Sequence, residues 1–487
     1  MTSTDFDPTQ TNDIYNDCLP EWEANRHFAE MPRKALRDGE YLPEFGKNGT
    51  HKEPDSQYAW RKEAAMLMDV APDLIGMRVE ELWRQEPTRK YDDSPYAEHI
   101  EAFVRNVDGA GTGIDAFMRK LTRMVHINGV DVLVDKSTCP TGVNSRADES
   151  ATPYAQIFTP MDRYEWSCDF AGRYHWARYS LGAEASVDEG CGAAGDYYLT
   201  YTRDLWRLYN CEDKKPTMVE EGPHTMGMVP VVQCYTDVST HEDLPGVPIS
   251  LMSRLSPISE YMHNLLSQAQ LDLLMSVAFF KAIGVPPDQI PEAIGVGTVV
   301  GISSPDGDFG PVNSETATIE EKRKWLELLT LVQLRIGKVL GLAATLEGRA
   351  QSGVQVAMEA SPLHSELAST AGKLERWEKE IVRLAVSRVK GELVPIEDLQ
   401  YAVEYNKRYT LQSAMDLIEQ ATKLLNMNGI DEVPKIAQLY LRKLIDAAIR
   451  SGTDEYTEAV EQLNNLKLAG VDPELRDEET SDTDETV

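Results

Sequence analysis

Gly109-Ala110-Gly111-Thr112-Gly113 is the stretch of this chain that comes nearest to a phosphate-binding loop. Closely spaced glycines let backbone amides approach a pyrophosphate at the start of a helix. A dinucleotide fingerprint also needs a preceding strand and a glycine three residues after the second one, where Ile114 stands here. No lysine followed by Ser or Thr completes a P-loop. These residues therefore read as a glycine-rich turn that starts a helix at Ile114. The nine histidines form no HExxH pair, and no GxSxG elbow occurs. His263 sits in a long helical run and reads as a packed or surface histidine. The six cysteines (Cys18, Cys139, Cys168, Cys191, Cys211, Cys234) lack CxxC spacing and read as reduced thiols. No catalytic group, metal or cofactor is expected from this set.

Charge narrows the field from another side. The chain of 487 residues carries 80 acidic and 48 basic side chains, a formal charge of −32. A protein that grips DNA by neutralising phosphates is normally basic, so a DNA-holding function is disfavoured. A hydrophobic fraction of 42% fits a folded protein rather than a disordered one. The polar, acidic start (Met1 to Cys18) does not read as a signal peptide, and no run reaches the roughly 18 apolar residues of a membrane span.

The elements that would position any site divide the chain by texture. The first ~50 residues, dense in Asn, Asp, Pro and Gly, predict an irregular arm. Tyr58 to Trp83 is helical, divided near Pro72, and helices follow over Ala97–Val107 and Ile114–Val125. Val130 to Val134 reads as a strand after an Asn128-Gly129 turn. Between Tyr154 and Tyr235, Tyr and Trp alternate with polar residues, which predicts several antiparallel strands. Those aromatics suit a sheet core or a subunit contact better than a stacking platform for single strands, because no Lys/Arg excess is interleaved.

Beyond that the chain is largely helical. The pattern predicts one long helix over Pro257–Ile283 and a second over Thr318–Leu340, with Thr318 and Glu321 as a capping box. Gly284–Val312, rich in Gly and Pro and with only acidic charges, separates them. The loop Gly341–Ser352 leads to a third long helix that Pro362 kinks and Gly391 ends. A strand at Tyr401–Tyr405, two or three helices over Leu411–Leu468 and an acidic tail complete an α+β, mainly α, chain.

Two long helices around a compact excursion, then a short loop and a third helix, is an order that resembles the portal proteins of tailed bacteriophages. Several phrases carry the likeness. Arg61-Lys62-Glu63-Ala64…Leu74-Ile75-Gly76…Trp83-Arg84-Gln85-Glu86-Pro87 is similar to their N-terminal "G…(F/W)R…P" segment. Asn106-Val107-Asp108-Gly109…Phe117, followed by Gly129-Val130 and Val132-Leu133-Val134-Asp135, resembles a "NvDg.G…F…G…vLVD" stretch. Pro223-His224…Gly227-Met228-Val229-Pro230-Val231-Val232 resembles "H..G.vPvv", and Gln351-Ser352-Gly353-Val354-Gln355 resembles "SG.a". The phrases lie in order over about 60–410, and the last ~80 residues carry none.

The resemblance implies a portal fold: an arm (1–55), a β-rich wing (56–250), stem helices (251–283 and 316–341), a short clip (284–315), a tunnel loop (342–352), a long wing helix and strand (353–410), crown helices (411–468) and an acidic tail (469–487). It implies a homo-oligomeric ring, usually of twelve copies, at one vertex of the virion capsid. Double-stranded DNA would pass through it non-specifically, while terminase supplies the ATP hydrolysis. Capsid and scaffolding proteins, the terminase large subunit and then a head–tail adaptor would be partners. By position, Leu342, Thr345, Leu346, Glu347 and Arg349 fall in the tunnel loop. Lys322, Lys324, Arg335 and Lys338 become stem-channel candidates, although pairing with Glu320, Glu321 or Glu327 suits them equally. Asp288, Asp306, Asp308 and Phe309 become clip docking candidates. The competing readings are another virion ring or adaptor protein, or a nucleotide-binding enzyme using Gly109–Gly113.

Overall fold

The computed structural model describes residues 7–37, 41–46, 52–65, 68–136, 152–169, 172–182, 196–212, 215–241, 243–244, 246–278, 280–284, 307–311, 316–339, 353–407, 409, 442 and 461. The chain forms two compact units, residues 1–350 with 365–407, and residues 351–364 with 408–487.

The first unit begins with a correction to the expected irregular arm: α1 (Asp13–Glu30) is a regular helix. Tyr15, Cys18, Trp22, Asn25 and Phe28 recur every three or four residues and form its buried stripe. The Asn12 side chain accepts the Ile14 N–H at 2.9 Å, and the helix ends on Met31 in the left-handed region. Pro20 and the surrounding Asn and Asp hide this periodicity from a composition reading. Next come α2 (Arg33–Leu36), α3 (Asp55–Ala64) and α4 (Ala71–Leu82), with Pro72 in the first turn of α4 as the spacing predicts. The pair α5 (Ala97–Arg105) and α6 (Ile114–Ile127) follows β1 (Thr88–Lys90).

Three strands, β2 (Val130–Asp135), β3 (Tyr154–Phe158) and the later β9 (Val231–Cys234), make an antiparallel sheet with β2 in the centre. The aromatic stretch folds as a five-stranded antiparallel meander: β4 (Arg163–Cys168), β5 (Tyr174–Gly182), β6 (Asp196–Thr202), β7 (Leu205–Glu212) and β8 (Lys215–Pro223). Its inner face turns Tyr174, Tyr179, Leu199, Tyr201, Trp206 and Leu208 into one core with Leu133, Phe158 and Trp22. Alternation places Tyr198, Tyr209 and Cys211 in a smaller cluster on the opposite face. The tyrosines and tryptophans are thus mainly core.

A short pair, β10 (Asp237–Val238) with β11 (Pro248–Ile249), precedes α7 (Met252–Ala278). The helix expected over Pro257–Ile283 starts earlier, because Ser250 Oγ accepts the Ser253 N–H at 3.0 Å ahead of the first turn. It also ends earlier: β12 (Phe280–Ile283) pairs antiparallel with β13 (Asp308–Pro311). Helix α8 (Thr316–Ile336) places Thr318 inside its first turn rather than at the cap. It stops at Ile336 because Gly337 follows and Lys338 adopts φ 55°. Helix α9 (Gly353–Lys390) runs through Pro362 and ends at Gly391, whose φ of 77° suits a residue without a Cβ. Finally β14 (Ala402–Glu404) pairs with β1.

The part of α9 beyond His364 belongs to the first unit and is anchored there by a buried carboxylate. Glu378 accepts Arg89 Nε at 2.6 Å and the hydroxyls of Tyr401 and Tyr405 at 2.5 Å each. In the second unit, the described residues include the start of α9, with Leu363 buried and the His364 and Tyr409 rings 6.4 Å apart. Of the helices expected over Leu411–Leu468, Arg442 and Glu461 are described, both helical; the other residues of that range, the strand core expected at Thr298–Ile302 and the acidic tail lie outside the described residues.

Candidate functional site

The glycine-rich turn has spent the amides that a phosphate would need. Asp108 Oδ1 accepts the N–H of Ala110 at 2.9 Å and of Thr112 at 3.1 Å, and Asn106 Oδ1 accepts that of Gly111 at 2.7 Å. The turn closes on itself through Val107 N–H to Thr112 O and starts α6 at Gly113. Helix α5, not a strand, precedes it. His263 is buried with Nε2 2.8 Å from the Leu36 carbonyl oxygen, a packing role. Among the described residues no group of three or more His, Cys, Asp or Glu could hold a metal ion, and no helix is long and apolar enough to cross a membrane.

The arrangement that stands out is the α7–α8 pair. At 27 residues, α7 extends about 40 Å at 1.5 Å per residue. Helix α8 packs on it, with the β12–β13 pair between them in sequence. Lys322 of α8 forms an ion pair with Asp272 of α7. Nearer the other end, Gln333 donates to Ser259 Oγ of α7 at 3.1 Å and to Asp69 Oδ1 at 2.7 Å. These contacts fix which side of α8 faces inward. On the opposite side, Lys324, Leu328, Leu331 and Arg335 follow at i, i+4, i+7 and i+11, which sets them in one stripe. Trp325, beside that stripe, is 53% exposed, Leu328 48% and Leu331 44%. Tyr261 and Leu273 of α7 are about half exposed as well. Apolar side chains of this size at regular spacing mark a contact surface.

The end of α8 is built differently. Gly337 passes so close to α4 that a Cβ there would lie 2.9 Å from both methyls of Leu74. Arg78 of α4, 1% exposed, donates from Nη2 to the Gly337 carbonyl oxygen at 3.0 Å and reaches Glu366 Oε2 of α9 at 3.5 Å. Lys338 Nζ approaches the same carboxylate oxygen at 2.9 Å. Burial alone would raise the Glu366 carboxyl, but Arg78 and Lys338 outweigh it and hold it below the usual carboxylate range. Beside Arg78, burial and the neighbouring positive charge push His126 of α6 down to about 4.

This histidine gives a pH prediction. Its unfolded value is 6.5 and its folded value is lower, so between the two the unfolded chain binds the extra proton. The stability it confers is complete above pH 6.5 and is lost as pH falls towards 4. The loss should approach about 3 kcal/mol. Denaturant midpoints of the wild type should drop across that window, and His126→Leu should flatten the drop; an equal drop in the variant would refute the assignment.

The residues expected to form sites fall into three groups. Lys322 and Lys338 are committed to Asp272 and Glu366. Lys324 and Arg335 are exposed on the outer stripe, and Lys324 adds to Arg323 in lowering the Glu320 carboxyl. Of the clip candidates, Asp308 is exposed on β13 and Phe309 is in that strand, opposite Ala282. Asp288 and Asp306 lie outside the described residues, as do Leu342, Thr345, Leu346, Glu347 and Arg349 of the loop. Sequence reading missed the Trp325–Leu328–Leu331 surface, although its helical spacing was legible. It also missed Arg78, Gly337, Glu366 and His126, which no local pattern connects.

No family model matches the chain. No curated protein matches it either. Among solved structures it is similar to a chain of the "Neck of empty GTA particle computed with C6 symmetry", at 11% identity and a TM-score of 0.39, covering 85% of this chain and 96% of that one. The likeness is coarse.

Proposed function

We propose that the chain is the subunit of a portal-type ring at the unique vertex of a phage capsid, a passage for double-stranded DNA without chemistry of its own. The observation that carries this reading is the α7–α8 pair, with a strand pair between its helices and half-exposed Trp325, Leu328 and Leu331 on the outer side. A neighbouring copy would cover that surface, and a contact made head to tail between unlike faces closes into a ring. The ordered phrases from Arg61 to Gln355 support the same reading. In it α7 and α8 are the stem, β12 and β13 the base of the clip, residues 342–352 the tunnel loop and 411–468 the crown. The clip, with Asp288, Asp306, Asp308 and Phe309, meets terminase and later the head–tail adaptor. The outer surface meets capsid and scaffolding protein.

Charge then explains passage. Every fixed Lys/Arg–phosphate contact adds salt-dependent affinity, and a wall made of them would stall a sliding duplex. Each copy carries −32, so the ring repels DNA on average. Lys322 and Lys338 are neutralised by Asp272 and Glu366, and Lys324 and Arg335 share the stripe of Leu328 and Leu331 that the neighbouring copy would cover, so α8 offers few free cations to hold the duplex.

Mass photometry and negative-stain imaging of the purified full chain test the ring directly. The expected result is a closed ring with an axial opening and a mass near twelve protomers. A chain that stays monomeric at high concentration, with scaffolding protein present, would overturn the proposal.

A further inference from the structure

Helix α8 closes its end with two backbone bonds, Lys338 N–H to the Arg335 carbonyl and Val339 N–H to the Leu334 carbonyl at 3.0 Å each, around a residue held against its backbone preference. Lys338 has φ 55°, a region a non-glycine residue enters at a cost of about 1 kcal/mol or more. The two backbone bonds hold it there in part, and neighbouring side chains tie the turn to the elements around it. We infer that Arg78, Lys338 and Glu366, backed by His126, form a clamp that couples the end of α8 to α9 and lets go when Glu366 loses its charge. The inference concerns the folded subunit and stands whether or not the chain forms rings.

The geometry makes the coupling two-sided. Arg78 comes from α4 and grips the last carbonyl region of α8 at Gly337, while the same Nη2 faces Glu366 on α9. Lys338, one residue beyond Gly337, closes the triangle on Glu366 Oε2. Gly337 allows the close approach, since any Cβ would strike Leu74. The groups facing the Glu366 carboxylate are therefore Arg78 of α4, Lys338 beyond α8 and His126 of α6. At neutral pH the set holds two cations, one anion and a neutral histidine. Protonating Glu366 leaves Arg78 and Lys338 facing each other with no counter-charge, and protonating His126 adds a third cation. A buried ion pair that loses one partner is destabilised more than one never formed. Both titrations run the same way: the hold is complete above the carboxylate and imidazole ranges and is lost as the pH falls. The clamp is thus an acid-sensitive joint at the foot of α8.

Hydrogen exchange of the full chain read by mass spectrometry tests it. In Glu366→Gln at pH 7, amides of 334–339 and of 366–372 should both exchange faster, by about 10-fold, while β6 and β7 keep wild-type rates. Lys338→Gln, at a half-exposed side chain that folding tolerates, should raise both segments by a smaller common factor of about 3. Wild type taken to a pH below the usual carboxylate range, with intrinsic rates corrected, should move toward the Glu366→Gln pattern, because Glu366 keeps its charge until then. Faster exchange in only one of the two segments, or in neither, would overturn the clamp. If Glu366→Gln does not fold, Lys338→Gln and the pH series decide the matter alone.

Discussion

Asp131→Ala is expected to destabilise the protein by about 3–5 kcal/mol in chemical denaturation, the cost of leaving a buried cation unpaired. Asp131 is buried on β2, and four donors converge on it. Its Oδ2 accepts the Tyr174 hydroxyl at 2.9 Å, the Tyr179 hydroxyl at 3.0 Å and Arg163 Nη1 at 3.3 Å; Oδ1 accepts Tyr235 at 2.6 Å. One carboxylate therefore ties the three-stranded sheet to two strands of the meander. Burial, with the Asp131 charge adding to it, holds the Tyr179 hydroxyl far above its ordinary value, so it stays a donor at every pH the fold survives. Removing Asp131 strands the Arg163 guanidinium, which is 2% exposed and stacked 4.1 Å over the Trp166 ring. The double variant Asp131→Leu with Arg163→Met should recover part of the loss, because it removes both charges together. A single-variant loss below about 1 kcal/mol would mean that the cage contributes no more than an exposed ion pair.

The second large effect concerns assembly. Trp325→Glu with Leu328→Glu should leave the folded subunit intact, since both side chains are about half exposed in it, and should abolish the ring. Burying two carboxylates in an apolar contact costs about 2–4 kcal/mol per interface, at least roughly 30-fold in affinity, and a ring repeats that cost at every contact. Mass photometry should then show monomers, with circular dichroism unchanged. Rings that persist at wild-type abundance would place the subunit contact elsewhere.

Much of the fold was legible because its causes are local. The aromatic alternation from Tyr164 to Tyr209 announced the meander, Pro72 marked the start of α4, and Gly391 marked the end of α9. The glycine-rich turn was legible too, and its amides go to Asp108 and Asn106 rather than to a ligand. Helix α1 was missed because Pro20 and a dense set of Asn and Asp outweighed a buried stripe that was present all along. The end of α7 was missed because Phe280–Ile283 continues its apolar run. What made these four residues a strand is their partner, Asp308–Pro311, which lies well along the chain. Long-range charge partners were the least legible part. Nothing near Arg78 in sequence points to Gly337 or Glu366, and nothing near Lys322 points to Asp272. Two of the four stem candidates were thereby placed in internal ion pairs that spacing along α8 could not reveal.

In the proposed ring α7 and α8 stand around a passage, with the outer stripe of α8 against the neighbouring copy. Cryo-electron microscopy of the assembled full-length protein tests it most directly. The expected result is a closed ring around an axial channel in which the next subunit covers Trp325, Leu328 and Leu331. A particle with no axial opening, or one with α7 and α8 on its outer rim and Trp325 still in solvent, would contradict it.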